Sequence, residues 1–120
     1  MDLGSIPETL ADRVEAAQTL EQVRKQDLRC GDRVLVTTRN SVYTIVALGD
    51  GEYRIWGGWF DREGLSAQRV GINGCTWGGS AIKHDIVAAR GLHLEFANRV
   101  LTTRIQDIRV IPAKAQNFPN

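Results

Sequence analysis

The sequence has few cysteines, the residues that cross-link many small domains, and it has no long hydrophobic run. Two cysteines, three prolines and one methionine occur among 120 residues. Two cysteines do not make a disulfide framework, so we interpret Cys30 and Cys75 as small buried apolar residues in a reducing compartment. The longest uncharged stretch, Val70 to Ile82, is too short and too rich in glycine to span a bilayer. No secretory signal is visible, and the predicted location is the cytoplasm.

Length and composition indicate one globular domain. A chain of 120 residues is about one domain long, and 42% apolar residues is ordinary for a globular protein. A domain of this size buries enough surface to sustain a core without a metal or a disulfide. We therefore expect the domain to fold without a metal or a disulfide, and we predict no cofactor and no metal site.

Charge is divided unevenly along the chain. Residues 1–28 hold six acids and three bases, net −3, whereas residues 29–111 hold eleven bases and eight acids, net +3. This division predicts that the acidic arm packs partly on its own basic body; the alternative is a nucleic-acid surface that the arm covers. Nucleic-acid binding depends on many phosphate contacts, so a net charge of +3 predicts weak binding or none.

Capping signals predict two short helices at the N-terminus. Ser5 with Pro7 is typical of a helix start and favours a helix near residues 7–17. Thr19–Gln22 matches a capping box and favours a second helix near residues 20–27. The apolar residues of the second helix would dock on the domain.

The residue pattern after Cys30 is typical of strands and turns, because runs of β-branched and aromatic residues are separated by Gly, Asp and Asn. Gly49-Asp50-Gly51 is a hairpin turn signal, and Ala97-Asn98 is a weaker one. The fold class predicted is mainly β, a small antiparallel β-barrel or sandwich of six to seven short strands. The domains predicted are a helical arm (1–28), the β-barrel domain (29–111) and a flexible tail (112–120). The predicted strands are Arg33 to Thr38, Val42 to Leu48, Glu52 to Gly57, Gln68 to Asn73, Leu92 to Ala97 and Arg99 to Ile111, the last bent or broken near Arg104.

The segment that leads into the first predicted strand of the β domain is similar to a segment of a known fold. Leu28 to Val36, a hydrophobe followed by a Gly-Asp turn and an alternating strand, resembles the start of the first strand in SH3-like small barrels. Thr38 to Tyr43 and the two later Gly-Gly turns are similar to uncharacterised small β proteins of bacteria. The resemblance implies an SH3-like fold over about residues 28–111 and brings no catalytic residue with it. Barrels of that kind bind peptides, nucleic acids or further subunits, so the fold leaves function open.

The most distinctive motif is a repeated Trp-Gly-Gly turn. Trp56-Gly57-Gly58 is followed by Trp59, and Trp77-Gly78-Gly79 comes 21 residues after the first turn. Glycine pairs allow crowded or left-handed backbone. The tryptophans then either cover the ends of the core or share one end of the barrel as an aromatic platform with at least one exposed ring.

The sequence lacks the motif spacings of a phosphate-binding loop, a serine or cysteine hydrolase and a zinc site. The run Gly71 to Ser80 lacks the Gly-Lys-Ser/Thr of a phosphate loop. A hydrolase built from Ser80 or Cys75 lacks the Gly-x-Ser-x-Gly elbow, and Lys83 to Asp85 is more simply a solvated turn. Zinc ligands would have to be Cys30, Cys75, His84 and His93, which have none of the usual short intervals.

The function predicted is a non-enzymatic module that binds a protein or assembles with itself, with no membrane partner. The binding surface predicted comprises Trp56, Trp59, Trp77, Arg39 and Arg104. The alternative is a nucleic-acid-binding barrel that uses Arg39, Arg54, Arg69 and Arg104 with stacking on Trp59 or Trp77. A small-ligand carrier or an enzyme is a further alternative. An apolar patch would favour the first class, a basic groove the second and a polar pocket the third.

Overall fold

The computed structural model describes residues 20–79 and 81–116. Nine strands and one short helix follow one another in this part of the chain. They are β1 (Gln22–Arg24), β2 (Arg33–Thr38), β3 (Val42–Gly49), β4 (Glu52–Gly57), α1 (Gly58–Arg62), β5 (Gln68–Thr76), β6 (Ile82–Lys83), β7 (Ile86–Ala89), β8 (His93–Phe96) and β9 (Leu101–Ile111). Lys25–Asp27 and Ala113–Gln116 are 3-10 turns.

Six strands close into an antiparallel barrel. Around the ring, β2, β3, β4, β5, β8 and β9 each pair with the next, and β9 pairs back with β2. β6 extends the ladder beside the last residues of β5, and β1 with β7 forms a separate two-stranded ribbon. The prediction of a mainly β chain with a small antiparallel barrel is confirmed.

Alternation of side chains fills the barrel interior. In β2, Val34 and Val36 are fully buried while Arg33 and Leu35 face outward and are only half-buried. The β3–β4 hairpin turns through residues 49–51, all with positive φ, as the Gly-Asp-Gly signal predicted. In β9 the pairing with β2 slips by one residue at Gln106, close to the predicted break.

The predicted helix over residues 20–27 is wrong. Gln22–Arg24 is a strand paired with β7, and a 3-10 turn follows it. Val23 is buried in the core, because pairing with β7 turns that side chain inward. Tertiary pairing has overridden a capping signal that is only local. The predicted helix near residues 7–17 lies outside the described residues.

Both ends of the described chain are tied to the barrel. Leu20 donates its backbone N–H to the Ile108 carbonyl at 2.9 Å. The Asp32 carboxylate accepts N–H groups from Arg29 (2.9 Å) and Ala113 (2.8 Å). The predicted Gly-Asp turn therefore joins the chain before β2 to the chain after β9.

The two cysteines differ. Cys75 is fully buried, its thiol lies 3.6 Å from the Val87 carbonyl oxygen, and burial raises its pKa to about 11. At neutral pH this thiol stays protonated and poorly nucleophilic. Cys30 is exposed, so its predicted burial is wrong. Both thiols are free, and no cluster of three potential metal ligands occurs in the described ranges.

Candidate functional site

Helix α1 closes one end of the barrel with an aromatic cluster. Phe60 is fully buried, and its ring makes edge contacts with Phe96 (4.9 Å between centroids), Trp59 (5.2 Å) and Tyr43 (6.4 Å). Such edge-to-face pairs add about 0.5–1.5 kcal/mol each beyond the area they bury. This end of the barrel is therefore rigidly packed beneath its surface.

The first Trp-Gly-Gly turn makes this packing possible. Gly57 has φ 100° and ψ 172°, a conformation that is essentially restricted to glycine. A Cβ on Gly57 would lie 2.0 Å from the Val42 carbonyl oxygen, and one on Gly58 would lie 2.3 Å from the Tyr43 ring. The Asp61 carboxylate accepts the Gly57 N–H at 3.0 Å. The two glycines let the chain fold from β4 straight over the open end.

Above the cluster lies a small pocket of about 100 Å³, here called the Trp59 pocket. Trp59 is half-buried in its wall, beside Arg62 of α1 and Leu101 at the start of β9. Leu101 is 48% exposed although it is apolar. The Arg39 backbone N–H donates to the Thr103 hydroxyl at 3.1 Å, which holds the β2–β3 turn against β9. Hydroxyl groups and Arg62 line the pocket together with Trp59 and Leu101, and a pocket of this size accepts one side chain of a partner.

The second Trp-Gly-Gly turn lies elsewhere. Ile55 near the end of β4 pairs with Gln68 at the start of β5, so β5 runs away from α1 and ends at Thr76. Trp77 follows directly, 54% exposed, with the Lys83 ammonium 5.7 Å from its ring centroid. The three tryptophans therefore do not share one end of the barrel. An exposed ring, as predicted, is present.

The remaining predicted residues divide between these places. Arg39 lies in the β2–β3 turn beside the Trp59 pocket. Arg104 lies near Trp77 instead, because it pairs with His93 of β8 and His93 pairs with Thr76, the residue before Trp77. The Arg104 guanidinium donates to the Gly91 carbonyl at 2.8 Å. Trp56 is half-buried and points outward from β4, on the face opposite the core residue Ile55. Of the five predicted residues, Trp59 thus lines the described Trp59 pocket, and Arg39 lies beside it between the lining residues Thr38 and Asn40.

Sequence reasoning missed a larger pocket at the β3–β4 turn, of about 340 Å³, here called the Lys25 pocket. Its wall includes Lys25, Leu28, Ala47 and Tyr53. Lys25 was predicted to lie on a helix, and no local signal shows that its ammonium would donate to the Ile72 carbonyl (2.6 Å), 47 residues away. Burial lowers the pKa of Lys25 and raises the pKa of Tyr53.

Among the described residues no helix has the length and hydropathy required to span a bilayer. Comparison of this chain with protein-family models, curated proteins and solved structures found no match.

Proposed function

We propose that this protein is a non-enzymatic barrel module that binds another protein through the Trp59 pocket. The observation that carries the proposal is that the exposed Leu101, the half-buried Trp59 and Arg62 line one pocket. Tryptophan and arginine are the residue types most enriched among interface residues that dominate binding energy. We also propose that the barrel is SH3-like, a fold whose members include peptide binders.

Exposed apolar side chains concentrate at the same end. Four large hydrophobic residues are exposed among those described, and three of them, Val42, Leu65 and Leu101, belong to segments at the α1 end. Val42 follows Ser41 of the pocket wall, and Leu65 donates its N–H to the Phe60 carbonyl at 2.7 Å. Water-exposed apolar groups gathered in one region are typical of protein contact sites.

Charge defines the chemistry of the partner. Arg39, Arg62 and Arg99 are exposed on the segments that border the pocket, and two exposed acids, Asp61 in α1 and Glu63 directly after it, lie on the same segments. Asp61 is already engaged with the Gly57 N–H. The partner segment we propose therefore presents one apolar side chain flanked by carboxylates.

The test places a photo-crosslinking amino acid at position 101 and, as a control, at position 77. Crosslinks to a distinct protein from position 101, with few from position 77, are expected. With that protein purified, Leu101→Asp is expected to weaken binding by about 2 kcal/mol, roughly thirtyfold, as for a central interface residue. The circular dichroism spectrum and unfolding midpoint should remain those of the wild type, since Leu101 is half exposed.

Two outcomes would overturn this proposal. Crosslinks that join two copies of this chain would assign the surface to self-assembly instead. An affinity that Leu101→Asp leaves unchanged would remove the Trp59 pocket from the interface.

Nucleic-acid binding is a second candidate, favoured by one observation. Arg54 and Arg69 lie directly opposite each other on β4 and β5, and Trp56 is on the same outer face. Like charges opposite each other are unfavourable in a sheet, although Arg69 pairs with Glu52 and Arg54 donates to the Ala67 carbonyl (3.1 Å). Each guanidinium group therefore has one local partner among its five N–H donors, and two arginines supply few of the phosphate contacts that tight binding requires.

We expect this second function to be weak. Fluorescence anisotropy with labelled single-stranded RNA and DNA should give a dissociation constant no tighter than about 10⁻⁶ M at physiological salt, the limit of non-specific binding. A tighter complex that Arg54→Gln and Arg69→Gln both weaken would replace protein binding as the leading function.

A further inference from the structure

The Lys25 pocket differs from the Trp59 pocket in position and in chemistry. It opens between the β3–β4 turn and the 3-10 turn Lys25–Asp27, on residues that the proposed protein-binding surface does not use. Its volume of about 340 Å³ falls within the lower range of small-molecule sites. Ala47 and Tyr53 point into the barrel from β3 and β4, and with Leu28 they give the pocket apolar walls.

Tyr53 has a buried hydroxyl without a protein partner. Its side chain is only 4% exposed, and no hydrogen bond joins its hydroxyl to any group of residues 20–79 or 81–116. Buried polar groups are nearly always hydrogen-bonded, so an unpartnered one in a pocket wall needs an explanation. Because burial raises its pKa, this phenol keeps its proton at neutral pH and acts as a donor.

Lys25 supplies an amine held in place. Its ammonium donates to the Ile72 carbonyl at 2.6 Å, and its backbone N–H donates to the Asp85 carbonyl at 2.8 Å. This bond to Ile72 uses one of the three N–H donors of the ammonium, so two remain for other partners. Burial lowers the Lys25 pKa although the Asp85 carboxylate opposes that change, so the neutral amine is more populated than in an ordinary lysine.

We propose that the Lys25 pocket takes a small, mainly apolar aldehyde or ketone, with Tyr53 donating to its carbonyl oxygen and Lys25 bonding to its carbonyl carbon. The neutral amine adds to the carbonyl carbon, and the carbinolamine that forms loses water to give an imine. One C–N double bond replaces the C–O double bond, the oxygen leaves as water, and no oxidant or reductant is consumed. Hydrolysis returns the free amine, so capture of the ligand is reversible.

The chain offers its own controls, because it has three lysines, Lys25, Lys83 and Lys114. The probe is benzaldehyde, trapped with sodium cyanoborohydride at neutral pH, and peptide mass spectrometry measures the benzylation rate at each lysine and at the N-terminal amine. Lys25 is expected to react about tenfold faster than Lys83 or Lys114 in the folded protein, the factor that corresponds to about 1.4 kcal/mol. In urea the three rates should converge.

A second aldehyde and a matched variant separate the pocket from simple amine reactivity. Formaldehyde needs no pocket, so the preference for Lys25 should be smaller with formaldehyde than with benzaldehyde. Tyr53→Phe keeps the ring and removes the hydroxyl, and it should lower the benzaldehyde rate at Lys25 about three- to tenfold, the effect of one hydrogen bond. The same substitution should lower the formaldehyde rate by a smaller factor, because formaldehyde does not need the pocket to reach Lys25.

The proposal fails if benzaldehyde modifies Lys25 no faster than Lys83, or if Tyr53→Phe leaves the benzaldehyde rate unaltered while the protein stays folded. Should Tyr53→Phe unfold the protein, Ala47→Leu fills the pocket from the facing strand and should slow benzaldehyde but not formaldehyde. Equal slowing of both aldehydes by Ala47→Leu would also count against a ligand pocket. Binding at the Trp59 pocket is expected to be unchanged by both variants.

Discussion

Phe60→Ala is expected to destabilise the protein by about 3–5 kcal/mol, the usual effect of truncating a buried phenylalanine. Phe60 is fully buried and contacts three other aromatic rings, so its removal leaves a cavity under α1. Domains of this size have a total stability of about 5–15 kcal/mol, and the loss would be a large share of it. Urea unfolding followed by tryptophan fluorescence measures the change.

The matched control for Phe60→Ala is Trp77→Ala. Trp77 is the largest exposed aromatic residue among those described, and its one described ring contact is with the Lys83 ammonium. Truncation should therefore cost less than about 1 kcal/mol. Equal losses in both variants would contradict the conclusion that the α1 end is the packed end and that the Trp77 ring lies on the surface.

Gly57→Ala should be almost as damaging as Phe60→Ala, although it adds only one methyl group. The backbone conformation of Gly57 costs another residue about 1–3 kcal/mol. The new Cβ would also meet the Val42 carbonyl oxygen at 2.0 Å, and overpacking of this kind costs about 1–3 kcal/mol. The expected loss in unfolding free energy is about 3–5 kcal/mol.

Two other glycines separate these contributions. Gly64 has φ 72° but open space around its Cβ position, so Gly64→Ala should show backbone strain alone, about 1–2 kcal/mol. Gly79 has neither a positive φ nor a close neighbour, and Gly79→Ala should be neutral or stabilise by up to about 1 kcal/mol. If Gly57→Ala and Gly64→Ala lose the same stability, the close approach of Gly57 to β3 is not important for folding.

Regular alternation and turn chemistry made much of the barrel predictable. Arg33–Thr38 and Glu52–Gly57 have the predicted bounds, because each alternates buried and outward residues and ends at a turn signal. Ile86–Ala89 was missed, since all four residues are buried and no alternation exists to detect. β5 extends beyond its predicted end because Gly74, with φ 140°, forms a bulge instead of stopping the strand.

The sites were harder to predict than the strands. Trp59 and Arg39 could be selected as residue types, but whether Trp77 lay beside them depended on which strands were neighbours, which the motif spacing does not contain. The Lys25 pocket depends on contacts between residues far apart in the chain, such as the bond from Lys25 to Ile72. Its unpartnered Tyr53 hydroxyl is a property of the packed core, and a tyrosine in a strand pattern gives no sign of it.

Closure of the barrel through β2 and β9 has a consequence for biosynthesis. Arg33 of β2 pairs with Ile111 of β9. One edge of β2 therefore stays unpaired until almost the whole barrel sequence has been synthesised. During translation, a chain that has left the ribosome only as far as β8 exposes the free edges of β2 and β8. Unpaired edges recruit strands from other chains. The eleven residues of β9 pair with both of these edges, so the risk of aggregation through open edges ends only when β9 has been synthesised.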